Sequence, residues 1–461
     1  MVAAFYLFVL KPPGWLAAAV VVALAVLTFA PLHFVHPVRI ARLRMLTLAA
    51  LVLWGLLALD AVVENLVPGF WTVTALCLLA IYFVAIGLLR RHSPEGKAFP
   101  QQFAPPAALP CAVATSTYDR AGGVAPREIK TLRESEMVAA VRVHKIGGPE
   151  VLTYEDIEIG APGQGQVRVK QHACGVNFID TYFRMGMYPS PVGLPFVAGN
   201  EGAGEVVAVG PGVSDLKVGD RVGYVAGLGC YAAERLLPAD RAVKLPANIS
   251  YEQAAGMMLK GMTAEYLLRR TFKVEKGMTV LMHAAAGGVG LILCQWANYL
   301  GANVIGTVGS KDKAELARAN GCHHTILYRD EDFVARVKDI TGGKLCDVVY
   351  DGVGKTTFPA SLDCLRPLGM FVSFGSASGQ IDAFNINLLQ TKGSLFATRP
   401  TLNHYAAKRE DLLKLAAETF EVVASGKVKI PVNQRYPLKE AQRAHRDLES
   451  RATTGASVLL P

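Results

Sequence analysis

Residues 279 to 290 read Thr279-Val280-Leu281-Met282-His283-Ala284-Ala285-Ala286-Gly287-Gly288-Val289-Gly290, a short apolar strand that runs into a glycine turn and then into the helical stretch 291–300. This is the shape of a dinucleotide site. A pyrophosphate must lie against bare backbone N–H groups at a helix N-terminus, where the aligned peptide dipoles favour negative charge, so Ala286, Gly287, Gly288, Val289 and Gly290 are the expected phosphate contacts. Ala285 stands where the usual fingerprint has its first glycine, which leaves open a reading as a plain tight corner. A second strand, 303–308, follows one helix later, as a βαβ unit requires.

The end of that second strand bears on which nucleotide binds. An NAD site usually places Asp or Glu at the strand tip to hold the ribose 2′-hydroxyl. Here the sequence is Gly306-Thr307-Val308-Gly309-Ser310 followed by Lys311-Asp312-Lys313. No carboxylate stands at the tip to repel a 2′-phosphate, while Ser310 and Lys313 can receive one, so the sequence favours NADPH. The alternative is a pair of ordinary solvated lysines opening a helix.

The 461 residues leave room for about three domains. A hydrophobic fraction of 51% is high for a wholly soluble chain, and the excess lies at the N-terminus. Segments 14–34, 45–67 and 70–89 are each about 20 nearly unbroken apolar residues, enough to cross a hydrocarbon core of about 30 Å, so three transmembrane α-helices are expected within residues 1–91. Arg39, Arg42 and Arg44 follow the first span, and Arg90 and Arg91 follow the third, which puts these segments and everything after them on the cytoplasmic side. The partner on this side of the molecule would be membrane lipid. If Met137 is the true start, the remainder is cytoplasmic. The eight cysteines form no C-x-x-C pair, and no metal site is indicated. The net charge of +9 comes without a basic run interleaved with aromatics, which argues against nucleic acid as a partner.

Residues 92–136 are Pro-, Ala- and Ser-rich with little periodicity and are expected to form a disordered linker. From Met137 come short strand-like runs cut by Gly and Pro, at 139–144, 151–154, 166–173 and 204–210, an all-β start. From about Gly261 helices alternate with strands at 279–283, 303–308, 324–327, 346–350, 370–374 and 394–398, the pattern of a doubly wound parallel sheet. The last apolar run, 456–460, is expected to return to the first β domain.

Several segments carry a resemblance. Cys174-Gly175-Val176-Asn177-Phe178-Ile179-Asp180-Thr181-Tyr182, Gly199-Asn200-Glu201-Gly202-Ala203-Gly204, Val218-Gly219-Asp220-Arg221-Val222, the glycine loop and Ala444-His445-Arg446-Asp447-Leu448-Glu449-Ser450-Arg451 are similar to the zinc-free quinone oxidoreductases of the medium-chain dehydrogenase/reductase superfamily. The resemblance implies an α/β fold with an all-β subdomain: a GroES-like domain from 137–260 and 400–461, and a Rossmann domain from 261–399. It implies NADPH as cofactor, a quinone or enone as substrate, and a homodimer. Zinc-dependent relatives carry Cys where Asn177 stands and His where Asn200 stands, with a third ligand near Lys260; none of the three is a zinc ligand type here. Without a Lewis acid, acceptors whose developing charge delocalises into a diolate or enolate are easier substrates than simple ketones.

The likeness further places Asn177, Tyr182 and Arg184 beside nicotinamide and substrate, with Tyr182 donating to a carbonyl oxygen. It puts Lys260 and Thr263 at the cofactor, Thr263 at the start of a helix, Tyr328 near the adenosine phosphate, and Phe374, Gly375 and Ser376 along the nicotinamide. For each a plain structural role is the alternative: Asn177 a turn cap, Tyr182 a packing aromatic, Thr263 an N-cap, Tyr328 a strand-end tyrosine. The N-terminal stretch Phe5-Tyr6-Leu7-Phe8, Lys11-Pro12-Pro13-Gly14-Trp15 and His36-Pro37-Val38-Arg39-Ile40-Ala41-Arg42-Leu43-Arg44 resembles the C-terminal helices of bacterial phosphatidylcholine synthase, a CDP-alcohol phosphatidyltransferase. That family's metal-binding carboxylate set does not occur in residues 1–100, so lipid synthesis is not expected. The rival readings are such a transferase and a non-catalytic NADPH-binding protein.

Overall fold

The computed structural model describes residues 135–461. The three expected membrane spans, the phosphatidylcholine synthase resemblance and nearly all of the expected linker lie outside the described residues. Among the described residues no helix is long and apolar enough to cross a membrane.

The first part is all β, as its short Gly- and Pro-punctuated runs imply. Its strands are β1 (Ser135–Val143), β2 (Leu152–Gly160), β3 (Gln166–Val176), β4 (Phe196–Val197), β5 (Glu201–Val209), β6 (Arg221–Val225), β7 (Glu234–Pro238) and β8 (Ala242–Lys244). β1 opens two residues before Met137, with Ser135 paired to Gly160 and Glu136 to Ile159, so the chain is already in a sheet where a linker was expected. β2, β1 and β4 form a small sheet of their own. The short helix α1 (Phe178–Arg184) leaves the end of β3.

The second part carries β9 (Thr279–Met282), β10 (Asn303–Val308), β11 (His324–Leu327), β12 (Cys346–Asp351), β13 (Leu365–Ser373) and β14 (Phe396–Thr398), all parallel in the order β11-β10-β9-β12-β13-β14. The order reverses between β9 and β12. In such sheets that switch point opens the crevice where ligands bind. The chain then returns to the first part through β15 (Val432–Pro437) and β16 (Ala456–Leu460), the latter antiparallel to β3, as the apolar 456–460 run predicted.

Between the two parts runs α2 (Tyr251–Tyr266), capped by Ser250, whose hydroxyl accepts from the Gln253 N–H while Gln253 reaches back to the Ser250 N–H. Almost every residue from Ala254 to Tyr266 is buried, so the helix is enclosed on all sides and packs on β3, β5, β6 and β16 as well as on α3 (Gly288–Tyr299). Gly261 therefore lies inside a helix rather than at a change of architecture. Thr263 sits in the last turn of that helix and not at its start, because the start is set by Ser250 thirteen residues earlier. The remaining helices are α4 (Lys311–Ala319), α5 (Phe333–Thr341), α6 (Asn387–Thr391), α7 (Leu402–Tyr405), α8 (Arg409–Ala424) and α9 (Ala441–Glu449).

The α2–β3 contact is close enough to require a residue with no side chain at Gly175, where a Cβ would meet the Ala255 carbonyl oxygen and the Glu201 carboxylate at 2.2 Å each. Gly175→Ala is predicted to lower stability by about 1–3 kcal/mol, read as a drop in the urea midpoint, because one of its two neighbours is backbone and cannot swing away. An unchanged midpoint would mean that the helix is free to lift off the sheet.

Candidate functional site

The glycine loop takes the expected form. Ala284, directly after His283, adopts a left-handed φ of +57°, and α3 begins at Gly288 with Gly287 as its N-cap. Below it, His283 bonds Thr307 Oγ1 and Ser361 Oγ, each at 3.0 Å, and Ser361 donates to Asp351 Oδ2 at 3.1 Å, so the C-terminal ends of β9, β10 and β12 are tied together at the switch point. Gly288 is needed bare: a Cβ there would lie 2.8 Å from Cδ of Lys260. Ala286, Gly287, Gly288, Val289 and Gly290 thus offer the backbone face that a pyrophosphate needs.

One arm of this crevice was not visible beforehand. Gly455 donates its N–H to the Ala286 carbonyl at 3.0 Å, so the segment after α9 lies along the glycine loop. It carries Arg451, whose Nη1 donates to Tyr328 Oη at 3.3 Å, while Lys313 Nζ donates to the carbonyls of Arg451 and Thr453. Ser310 caps α4, its hydroxyl accepting from the Lys313 N–H. Partial burial, together with the nearby Arg329 and Arg451 charges, holds the Lys313 ammonium below its usual value against the opposing influence of Tyr328. Crowded cations of this kind suit a doubly charged 2′-phosphate. Arg451 belongs to the quoted family segment, but nothing local says that it travels to the far sheet.

Across the crevice stands the β-domain wall. Asn177 is the N-cap residue of α1, as its alternative reading held, and its side chain also donates to Glu201 Oε2 at 2.9 Å. Glu201 is completely buried; it accepts from the Leu259 N–H at 2.7 Å and from Lys260 Nζ at 2.9 Å. Lys260 thereby joins the wall to the glycine loop its stem packs on. Tyr182 is 6% exposed, and its oxygen accepts from the Ser376 N–H at 2.9 Å. Among the described residues no acceptor takes the Tyr182 proton, and burial pushes its hydroxyl up to about 12, so it stays a donor at any working pH. Ser376 and Gly375 are themselves held by Arg399, which donates to Ser373 Oγ, the Gly375 carbonyl and Ser376 Oγ. Phe374 begins this loop, its N–H on the Asp351 carbonyl. Thr263 is nearly buried in α2, three residues beyond Lys260.

Arg184 is not brought to this pocket. It is fully buried, and its guanidinium is spent on the Gly147 carbonyl, His445 Nδ1 and Glu449. Two of these partners lie 261 and 265 residues away in α9, so the pocket role that the family resemblance implied for Arg184 is not what its contacts show. Glu201, Asp180, Arg399 and Arg451 are the site residues that sequence reasoning left out.

The positions that hold zinc in related enzymes do not fit a metal here. Lys260 brings its own positive charge, already paired with Glu201, and the Asn200 amide donates to Asp180 Oδ1 at 2.7 Å. Among the described residues no group of three or more His, Cys, Asp or Glu side chains is placed to hold a metal ion.

For the nucleotide pocket, replacing both Lys313 and Arg451 by Ala is predicted to cut the preference for NADPH over NADH by roughly ten- to hundredfold, as loss of charged hydrogen bonds implies. The ratio of the two dissociation constants, from quenching of protein fluorescence, reads this directly; an unchanged ratio would remove these residues from the 2′-phosphate site.

Comparison with known proteins agrees with this geometry. Residues 163–273 match the alcohol dehydrogenase GroES-like domain and 288–417 the zinc-binding dehydrogenase family. A quinone oxidoreductase of Pseudomonas aeruginosa is 52% identical over 326 residues, covering 70% of this chain and 100% of the relative. A 2-haloacrylate reductase of Burkholderia sp is 49% identical over 331 residues, 70% of this chain and 99% of the relative. The crystal structure of Escherichia coli quinone oxidoreductase complexed with NADPH matches with a TM-score of 0.69 at 50% identity, covering 70% of this chain and 100% of that one. With that identity over the full length of its relatives, and with amide and ammonium groups where zinc enzymes place ligands, the chain belongs to the zinc-free quinone oxidoreductases of the medium-chain dehydrogenase/reductase superfamily, an NADPH-binding family.

Proposed function

We propose that residues from about 137 onward catalyse NADPH-dependent, metal-free reduction of quinones or related α,β-unsaturated carbonyls. The observation that carries this reading is the Tyr182 hydroxyl, which is buried, protonated and already accepting from Ser376, with its proton unspent. Bound NADPH supplies the hydride. The chain's own groups do the rest: Tyr182 donates to the acceptor's oxygen as charge develops, Asn177 hydrogen-bonds nicotinamide or substrate, and Lys260, paired with Glu201, holds the wall against the glycine loop. The proton that completes the reduction comes from solvent, Tyr182 keeping its own as a hydrogen-bond donor. A quinone or enone spreads the developing charge over a conjugated system, so neutral donors suffice where a simple ketone would need a Lewis acid. The 2-haloacrylate reductase among the relatives keeps activated alkenes within the substrate class.

The same reading includes a homodimer. β14 is an edge strand of the parallel sheet with Phe396 55% exposed, and Ile386 ahead of it is 72% exposed. An unpaired, apolar edge invites a second copy of the sheet. The apolar runs at 14–34, 45–67 and 70–89 favour a position of the reductase at the cytoplasmic membrane face.

Tyr182→Phe is predicted to reduce kcat with a 1,4-quinone by about 100-fold while leaving the KM for NADPH within threefold, as removal of one donor from an anion-stabilising site does. Retained turnover would reduce Tyr182 to shaping the pocket, and absence of NADPH oxidation by the wild type across quinones and enones would favour a non-catalytic NADPH-binding role. In fractionated cells the native protein is predicted to stay with membranes through alkaline carbonate washing; recovery in the wash would contradict the anchoring.

A further inference from the structure

Behind the pocket wall lies a file of buried polar groups that the reduction step does not use. Arg184, fully buried, donates through Nη1 to His445 Nδ1 at 2.9 Å. A guanidinium has no lone pair to offer, so Nδ1 must be the acceptor and the neutral imidazole carries its proton on Nε2. Burial, and then the Arg184 charge, push His445 down to about 3, which keeps the ring neutral. Nε2 faces Tyr231 Oη at 3.1 Å, and Tyr231 donates to Asp180 Oδ2 at 2.9 Å. Asp180, 1% exposed, then accepts the Asn177 backbone N–H on Oδ2 at 2.9 Å and the Asn200 amide on Oδ1 at 2.7 Å.

The direction of donation is therefore fixed from end to end. Arg184 gives to His445, His445 to Tyr231 and Tyr231 to Asp180, and the carboxylate receives two further donors, the Asn177 N–H at the head of its own helix and the Asn200 amide from the segment before β5. Asn177 is gripped twice, its backbone by Asp180 and its side chain by Glu201. Neither carboxylate touches the open pocket. Burial pushes the Asp180 carboxyl up to about 6 against the opposing hydrogen bonds from Asn200, Asn177 and Tyr231, and a carboxylate so costly to bury is retained where its acceptors set the place of other groups.

We propose that Asp180, held by Tyr231 and His445, is a positioning residue of the reductase, and that helix α9 near the C-terminus fixes the placement of Asn177 in the pocket through this file. The inference rests on the reading of Asn177 as a pocket residue. A change in the file moves Asn177 by tenths of an ångström against nicotinamide and substrate, which slows the chemical step more than it weakens nucleotide binding.

The test uses the full chain, steady-state reduction of a 1,4-quinone by NADPH, and thermal unfolding of each variant. Asp180→Asn keeps the volume but turns one acceptor into a donor facing another donor; kcat is expected to fall at least tenfold with the KM for NADPH within threefold of wild type. His445→Gln can still accept from Arg184 and donate to Tyr231, so it is expected to keep kcat within threefold. His445→Leu can do neither and is expected to lose at least tenfold. If Asp180→Asn does not fold, the Gln and Leu pair at 445 carries the test, since rescue by Gln alone is not explained by packing. Asp180→Asn and His445→Leu with wild-type kcat and only a lowered Tm would overturn the proposal, as would equal losses in the Gln and Leu variants. A wild type that reduces neither quinones nor enones would instead refute the proposed function on which it rests.

Discussion

A carboxylate with no exposure to solvent, Glu201, imposes the central constraint. Burying that charge is tolerable only with full hydrogen bonding and a counter-ion, and the three groups that satisfy it come from different places: the Leu259 N–H and the Lys260 ammonium from α2, and the Asn177 amide from the head of α1. β5, α2 and α1 are thereby locked to one point. Gly175 lets the helix come near enough for this to happen. The Lys260 stem then reaches the glycine loop, so the same ion pair sets the distance between the β-domain wall and the nucleotide crevice.

That arrangement explains how a fold shared with zinc enzymes can work on a different principle. The amide, amide and ammonium at 177, 200 and 260 are engaged with Asp180 and Glu201 and supply no lone pair aimed at a common point. In the function proposed, stabilisation of developing charge falls to hydrogen-bond donors held in place beforehand, chiefly Tyr182, whose oxygen accepts from the Ser376 N–H. Preorganised donors of this kind are adequate for acceptors that delocalise charge and poor for those that do not, which is the chemical content of the substrate class proposed.

What could be read in advance was what local pattern encodes. The glycine loop, the alternation of strands with helices and the return of 456–460 to the first sheet follow from period, turn residues and apolar runs within short windows, and they stand as read, strand ends apart. α2 misled because a helix buried on every side has no polar face and hence no period to mark its start; the Ser250 and Gln253 cap was the only available sign. Arg184 misled for another reason. The resemblance grouped it with Asn177 and Tyr182, but its partners His445 and Glu449 are in α9 and no local rule connects them. Arg451 and Gly455 likewise reach the nucleotide loop through tertiary return of the chain, which a motif reading does not encode. Glu201 was quoted within a family segment, yet its role emerges only once Lys260 is brought beside it.

The most direct trial of a pocket that runs on fixed donors and an ammonium–carboxylate pair is a single-turnover experiment on the full chain with bound NADPH, mixed with a 1,4-quinone before and after exhaustive dialysis against a chelator. The rate constant for NADPH oxidation should be the same in both. Loss of oxidation on chelation, with recovery on adding zinc, would contradict the account.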